Sequence, residues 1–232
     1  MRHTRGDIMS ALSSEVRLFL QKITPAWFKN VLGVKEGIRT IVVFDLDRTL
    51  VNISESEVDR GQLDRVCQGM HQLMENSLVH VVIATRCPKE TVVPLFSPWD
   101  SMIPDHKVVH VLDQNYINSR HGSKANAVEF WIAEHLNQPV NEYDIVVYDN
   151  KSIELTDHEW TRKDFKGVYR YFVEDYLFSK DFYACPYSGN GLVNRSPSIN
   201  HDVHQAIKKI SRELLPSKVT TSSLYLQFVY HE

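Results

Sequence analysis

Apolar positions change their period along the chain, and the changes mark its elements. From Ile8 to Val31 they recur three and four apart, at Ile8, Leu12, Val16, Phe19, Leu20, Ile23, Trp27 and Val31. That spacing predicts a helical segment with a break near Pro25, its apolar face docked on the rest of the domain. Beyond it the pattern alternates. Short continuous apolar runs, the mark of strands buried on both faces, occur at 41–44, 79–84, 108–112, 145–148 and 168–173. Between the first two runs, Val58, Leu63, Val66, Met70, Leu73 and Met74 trace one helical face. A short helix is predicted after Pro88, and a longer one from Lys124 to about Leu136 with Ser123 as its N-cap. Strands alternating with helices predict an α/β domain built on a doubly wound parallel sheet.

The tail is less regular. Tyr183 to Pro197 is rich in Pro, Gly, Ser and Asn and predicts an extended loop. Ile199, Val203, Ile207, Ile210 and Leu214 mark a late helix stopped by Pro216. Leu224 to Tyr230 is β-prone, either an edge strand or the partner of an N-terminal element. The expected organisation is a helical segment over 1–36, a core over 37–180, and a C-terminal extension of the same domain over 181–232.

Composition narrows the class. With 43% hydrophobic and 24% charged residues among 232, the chain is an ordinary globular one. A net charge of −3 and no basic block interleaved with aromatics give no pull toward nucleic acid, so no nucleic-acid partner is expected. Three cysteines without paired spacing, Cys67, Cys87 and Cys185, point to a reducing, cytoplasmic compartment. No apolar stretch is long enough for a transmembrane span. Arg2 and Arg5 are followed by a stretch that Glu15, Arg17 and Gln21 interrupt, so no secretory signal is expected. Delivery into a host cell by a signal outside the chain, as for an effector, stays open.

Candidate chemistry lies at the ends of the apolar runs. The first is followed by Asp45, Asp47 and Thr49, the second by Thr85, and the fourth by Asp149 and Asn150; Lys124 opens the helix that leads into the fourth. In a parallel sheet these ends share one edge, where ligands bind. Each residue also has a plainer alternative. Thr85 can be a turn hydroxyl, and Lys124 a solvated helix-start residue with Lys151 in its place.

In order and spacing the set resembles the haloacid dehalogenase-like superfamily, whose commonest members are Mg²⁺-dependent phosphatases. Asp45-Leu46-Asp47-Arg48-Thr49 matches its first motif, Thr85 its second, Lys124 its third and Asp149 its fourth, over roughly residues 38 to 175. The resemblance implies Asp45 as the nucleophile that forms an aspartyl-phosphate, and Asp47 as the acid and base. Thr49 would fix the turn that aims Asp47. Phosphate would be bound by Thr49, Thr85 and Lys124, and Mg²⁺ by Asp45, Asp47, Asp149 and Asn150. Asn150 stands where the family commonly has a second acid, which removes one negative ligand. Glu154 through a water, and Arg86 on substrate phosphate, are further candidates. Cations are needed because a carboxylate about 4 Å from a phosphate charge is repelled by roughly 4 kcal/mol at an effective dielectric near 20.

Two other phosphoryl readings fail on order and spacing. In a receiver domain the lysine comes last, whereas Lys124 precedes Asp149. A cysteine-dependent phosphatase needs an arginine six residues after its cysteine, and Cys87 has Val93 there. His201 and His204 read as surface residues.

Family members often close their sites with cap domains. The interval from Thr49 to Val79 holds one helix, and that from Thr85 to Lys124 a helix, a strand and connections, so no large cap is expected. An open site favours a phosphate on a macromolecule, a phosphoprotein and within that class phosphotyrosine. The alternatives are a phosphatase of small metabolites or nucleic-acid ends, and a catalytically idle member that binds phosphoryl groups or partners as a scaffold.

Overall fold

Every predicted strand forms, and the strands align. The structure is a computed structural model that describes residues 39–53, 58–100, 107–174, 176–179, 183–188, 191–192, 201–214 and 226–231. The stripe from Ile8 to Val31 lies outside these residues. The strands are β1 (Arg39–Phe44), β2 (Val79–Ala84), β3 (Lys107–Leu112), β4 (Tyr143–Asp149), β5 (Gly167–Val173), β6 (Ala184–Ser188), β7 (Gly191–Leu192) and β8 (Leu226–His231). They form one sheet in the order β7-β6-β5-β4-β1-β2-β3-β8. Six strands are parallel, and β6 and β7 pair antiparallel at one edge. From β1 the chain winds through β2 to β3 on one side, then returns to place β4 and β5 on the other. That reversal opens a crevice at the carboxyl ends of β1 and β4.

The helices are α1 (Arg60–Leu73), α2 (Lys89–Phe96), α3 (Gln114–Ser119), α4 (Lys124–His135), α5 (Ser152–Thr156), α6 (Glu159–Arg162) and α7 (His201–Glu213). Alternation along the strands sorts the core into two layers. Val42, Phe44, Val81, Ile83, Val146 and Tyr148 face α1, α2 and α7. Ile41, Val43, Val82, Ala84, Ile145 and Val147 face α3, α4, Leu155 of α5 and Trp160 of α6. Each apolar side chain taken fully out of water contributes about 1.5–3 kcal/mol.

One expectation about the tail changes, and one left open is decided. Within the predicted loop over 183–197, Ala184–Tyr187 pairs with Arg170–Val173, and Tyr187 and Ser188 pair with Leu192 and Gly191. The missing amide of Pro186 is tolerated so near the sheet edge. The last strand takes the edge position, with Leu226 opposite Lys107 and His231 opposite Leu112. Among the described residues no helix is long and apolar enough to cross a membrane.

The β3–β8 pairing encloses a histidine group. His110 Nδ1 lies 2.9 Å from His231 Nε2, the ring of His135 meets that of His231 at 4.4 Å, and His110 packs on Trp131 at 4.7 Å. Burial, reinforced by the neighbouring imidazoles, pushes His110 down to about 3 and His231 down to about 4. The unfolded chain therefore binds more protons between these values and about 6.5, and stability falls as pH drops through that window. His110→Gln is expected to flatten the fall between pH 6.5 and 4 by on the order of 1–2 kcal/mol. Urea unfolding of both proteins at each pH checks this; identical slopes would remove the histidine group as the cause.

Candidate active site

Register brings two carboxylates together. Phe44 pairs with Tyr148, so Asp45 and Asp149 occupy the next positions on adjacent strands, and the Asp45 amide donates to the Tyr148 carbonyl at 2.9 Å. Asp45 continues the alternation of Ile41 and Val43, and Asp149 that of Ile145 and Val147. Both therefore project toward the layer that holds α4. The Ser123 hydroxyl caps that helix by accepting from the Asn126 amide, and Lys124 is its first residue. Its Nζ donates to Asp45 Oδ1 at 2.7 Å and to Asp149 Oδ2 at 2.6 Å. None of the three is more than 3% exposed, which rules out a solvated Lys124.

The charges do not balance. Burial alone would lower the Lys124 pKa, but Asp45, Asp149 and the more distant Glu154 outweigh it and hold the ammonium above its ordinary range. Burial pushes Asp149 up to about 6, with Lys124 opposing and Asp45 adding to the rise. One ammonium between two carboxylates leaves a formal charge of −1 in a site almost closed to water. Asp45 Oδ2 and Asn150 Oδ1 are both buried without a hydrogen-bond partner. Unpartnered anionic and amide oxygens are donors that a hard divalent cation takes. Among the described residues no three His, Cys, Asp or Glu side chains are grouped to hold a metal. A cation here would thus rely on two carboxylates supplemented by amide and main-chain oxygens.

Asp47 lies in the turn beyond β1. There the Leu46 carbonyl accepts from the amides of Thr49, Leu50 and Val51, and Arg48 takes a positive φ of 60°. Asp47 Oδ1 accepts from the Ile53 amide at 3.1 Å. Thr49 is fully buried, its hydroxyl is without a partner, and its carbonyl accepts from the Leu177 amide at 2.8 Å. Those contacts suit a residue that fixes the turn. The Thr85 hydroxyl, also fully buried, accepts from the Cys87 amide at 3.1 Å, as a turn hydroxyl does.

Cys87, excluded as a nucleophile by its spacing, is joined to this group through Thr85. Burial raises its thiol pKa and the Thr85 hydrogen bond opposes the rise, while Asp45 and Asp47 both add to it. The charges of Asp45 and Asp47 and the Thr85 hydroxyl therefore all act on one half-buried thiol.

Two further candidates are paired with each other, and one expectation needs correction. Arg86 and Glu154 are committed to each other through Nε–Oε1 at 2.9 Å and Nη2–Oε2 at 3.2 Å, and Arg86 Nη2 also donates to the Gly122 carbonyl at 2.6 Å. Arg86 and Glu154 are thus ion-pair partners of each other beside the Lys124 group. Together they clasp the turn into α4, where His121 and Gly122 have φ of 61° and 67°. His204 is buried and stacks on Tyr171 at 4.6 Å, because it lies on the face of α7 that meets the sheet. The side chain of His201 lies outside the described residues.

Compared with known proteins, the chain matched no family model, no curated protein and no solved structure.

Removing one partner from a buried ion pair strands the other's charge, at about 3–5 kcal/mol. Lys124→Met is expected to destabilise the fold by about that amount. Adding Asp149→Asn to it should restore part of the loss, since one of the two stranded charges is gone. Chemical denaturation of the single and double variants decides; a double variant less stable than the single would contradict the electrostatic account.

Proposed function

We propose that the chain is a Mg²⁺-dependent phosphomonoester hydrolase of the haloacid dehalogenase-like type, acting on phosphoproteins and preferentially on phosphotyrosine. The observation that carries the proposal is the contact of Lys124 with both Asp45 and Asp149, residues that stand 79 and 25 positions from it. The unpartnered oxygens of Asp45 and Asn150 add to it. Asp45, Asp149, Asn150 and the main-chain carbonyl of Asp47 would hold the ion. When bound, Mg²⁺ neutralises charge on the phosphoryl oxygens.

The rest of the chemistry falls to the chain's own groups. Lys124 fixes the Asp45 carboxylate and offsets negative charge beside it. Asp45 forms a bond to phosphorus as the bond from phosphorus to the leaving oxygen breaks. Asp47 supplies the proton that oxygen takes up. Its Oδ1 is tied to the Ile53 amide, which leaves Oδ2 to carry the proton. Asp47 then removes a proton from the water that attacks the aspartyl-phosphate, releasing phosphate and restoring Asp45. The interval after β1 holds α1, and that after β2 holds α2, β3 and α3; among the described residues neither carries an inserted domain. A site without an inserted domain among the described residues suits a phosphate on a folded or extended polypeptide.

Turnover of p-nitrophenyl phosphate tests this. Activity is expected to need Mg²⁺, to disappear with EDTA and in Asp45→Asn, and to fall by about 10²–10⁴-fold in Asp47→Asn. Phosphotyrosine peptides should be better substrates than phosphoserine peptides. Full activity in Asp45→Asn would leave no role for the carboxylate as nucleophile.

A further inference from the structure

We infer that Gln62 is a positioning residue that holds Asp47 in its working geometry. The inference rests on the function proposed above. Gln62, on the first turn of α1, is 5% exposed. Its amide nitrogen donates to the Leu50 carbonyl at 2.9 Å and to the Leu177 carbonyl at 2.7 Å. Its amide oxygen accepts from Arg65 Nη2 at 2.8 Å and from Arg65 Nε at 3.2 Å. Both donor hydrogens and the acceptor are thereby used.

The two carbonyls belong to separate turns. One turn, over 45–51, carries Asp47 and contains the positive φ of Arg48. The other, over 176–179, returns to it, the Leu177 amide donating to the Thr49 carbonyl. Gly69 of α1 permits the second turn's approach, because a Cβ there would lie 2.2 Å from the Phe178 ring. Gln62 thus joins α1, the Asp47 turn and the turn that backs it. A non-glycine residue in the left-handed region is strained and persists only where its surroundings hold it. Without the Gln62 bonds the turn is free to relax, and the carboxylate of Asp47 leaves the line of the departing oxygen.

Gln62→Glu keeps the shape but replaces the donor with an oxygen that faces two carbonyls; Gln62→Met keeps the volume with no hydrogen bonds. Arg65→Met weakens the same brace from its outer side. Loss of a general acid harms poor leaving groups more than good ones. The kcat/KM for phenyl phosphate is therefore expected to fall about tenfold more than that for p-nitrophenyl phosphate in whichever Gln62 variant folds, and in weaker form in Arg65→Met. Equal losses on both substrates would overturn the positioning role and leave Gln62 a structural residue.

Amide exchange at Ile53, whose N–H holds Asp47, reads the brace without any activity. Faster exchange in the variants supports it, and unchanged protection overturns it. A wild-type protein inactive on both phosphates would sink the proposed function instead, with exchange at Ile53 still deciding the brace.

Discussion

A single buried ammonium shared by two carboxylates organises this molecule's crevice. Lys124 reaches Asp45 and Asp149 at 2.7 and 2.6 Å, tying the ends of two adjacent strands to the head of a helix. Desolvating each such ion costs several kcal/mol, and well-packed apolar side chains would often hold the same elements as firmly. The arrangement is therefore poor value as a staple. It is also incomplete as an ion pair, since one negative charge is left over and an Asp45 oxygen has no partner. Burial, with Asp45 adding to it, raises the Asp149 carboxyl above its ordinary range, which expresses the same imbalance. The proposed function rests on this excess negative charge and these unpaired hard oxygens, which suit a small cation.

The fold delivers these groups by simple means. Parallel register sets Asp45 beside Asp149, pleating aims both toward one layer, and a serine-capped helix start brings in Lys124. Loops supply the rest with less regularity. The Asp47 turn depends on carbonyl-centred hydrogen bonds, a left-handed arginine and the buried amide of Gln62. The turn before Lys124 depends on the Arg86–Glu154 pair. Rigid strands thus place the acids beside Lys124, while braced turns place Asp47.

Much of this was legible in the residues. β1 to β5, α1, α2 and α4 follow from continuous apolar runs, helical stripes and a serine cap, all of them local signals. Asp45, Asp149 and Lys124 were legible because each stands directly at the boundary of such a segment. The shorter elements were not. α3, α5 and α6 span six, five and four residues, too few to express a helical period. The β6–β7 hairpin was hidden by Pro and Gly that a sheet edge accommodates. Arg86 and Glu154 pair across 68 positions, and Gln62 meets Leu177 across 115, separations at which no local pattern survives. His204 looked polar enough for the surface, but its place on the inner face of α7 stacks it against Tyr171.

Trapping the covalent intermediate tests the central claim most directly. Protein mixed with a phosphorylated substrate and Mg²⁺, quenched, reduced with borohydride and digested, can be read residue by residue by mass spectrometry. Reduction converts an aspartyl-phosphate to homoserine. The account places that change at residue 45 and nowhere else. Homoserine at another aspartate, or phosphate carried on a histidine or on Cys87 during turnover, would contradict it.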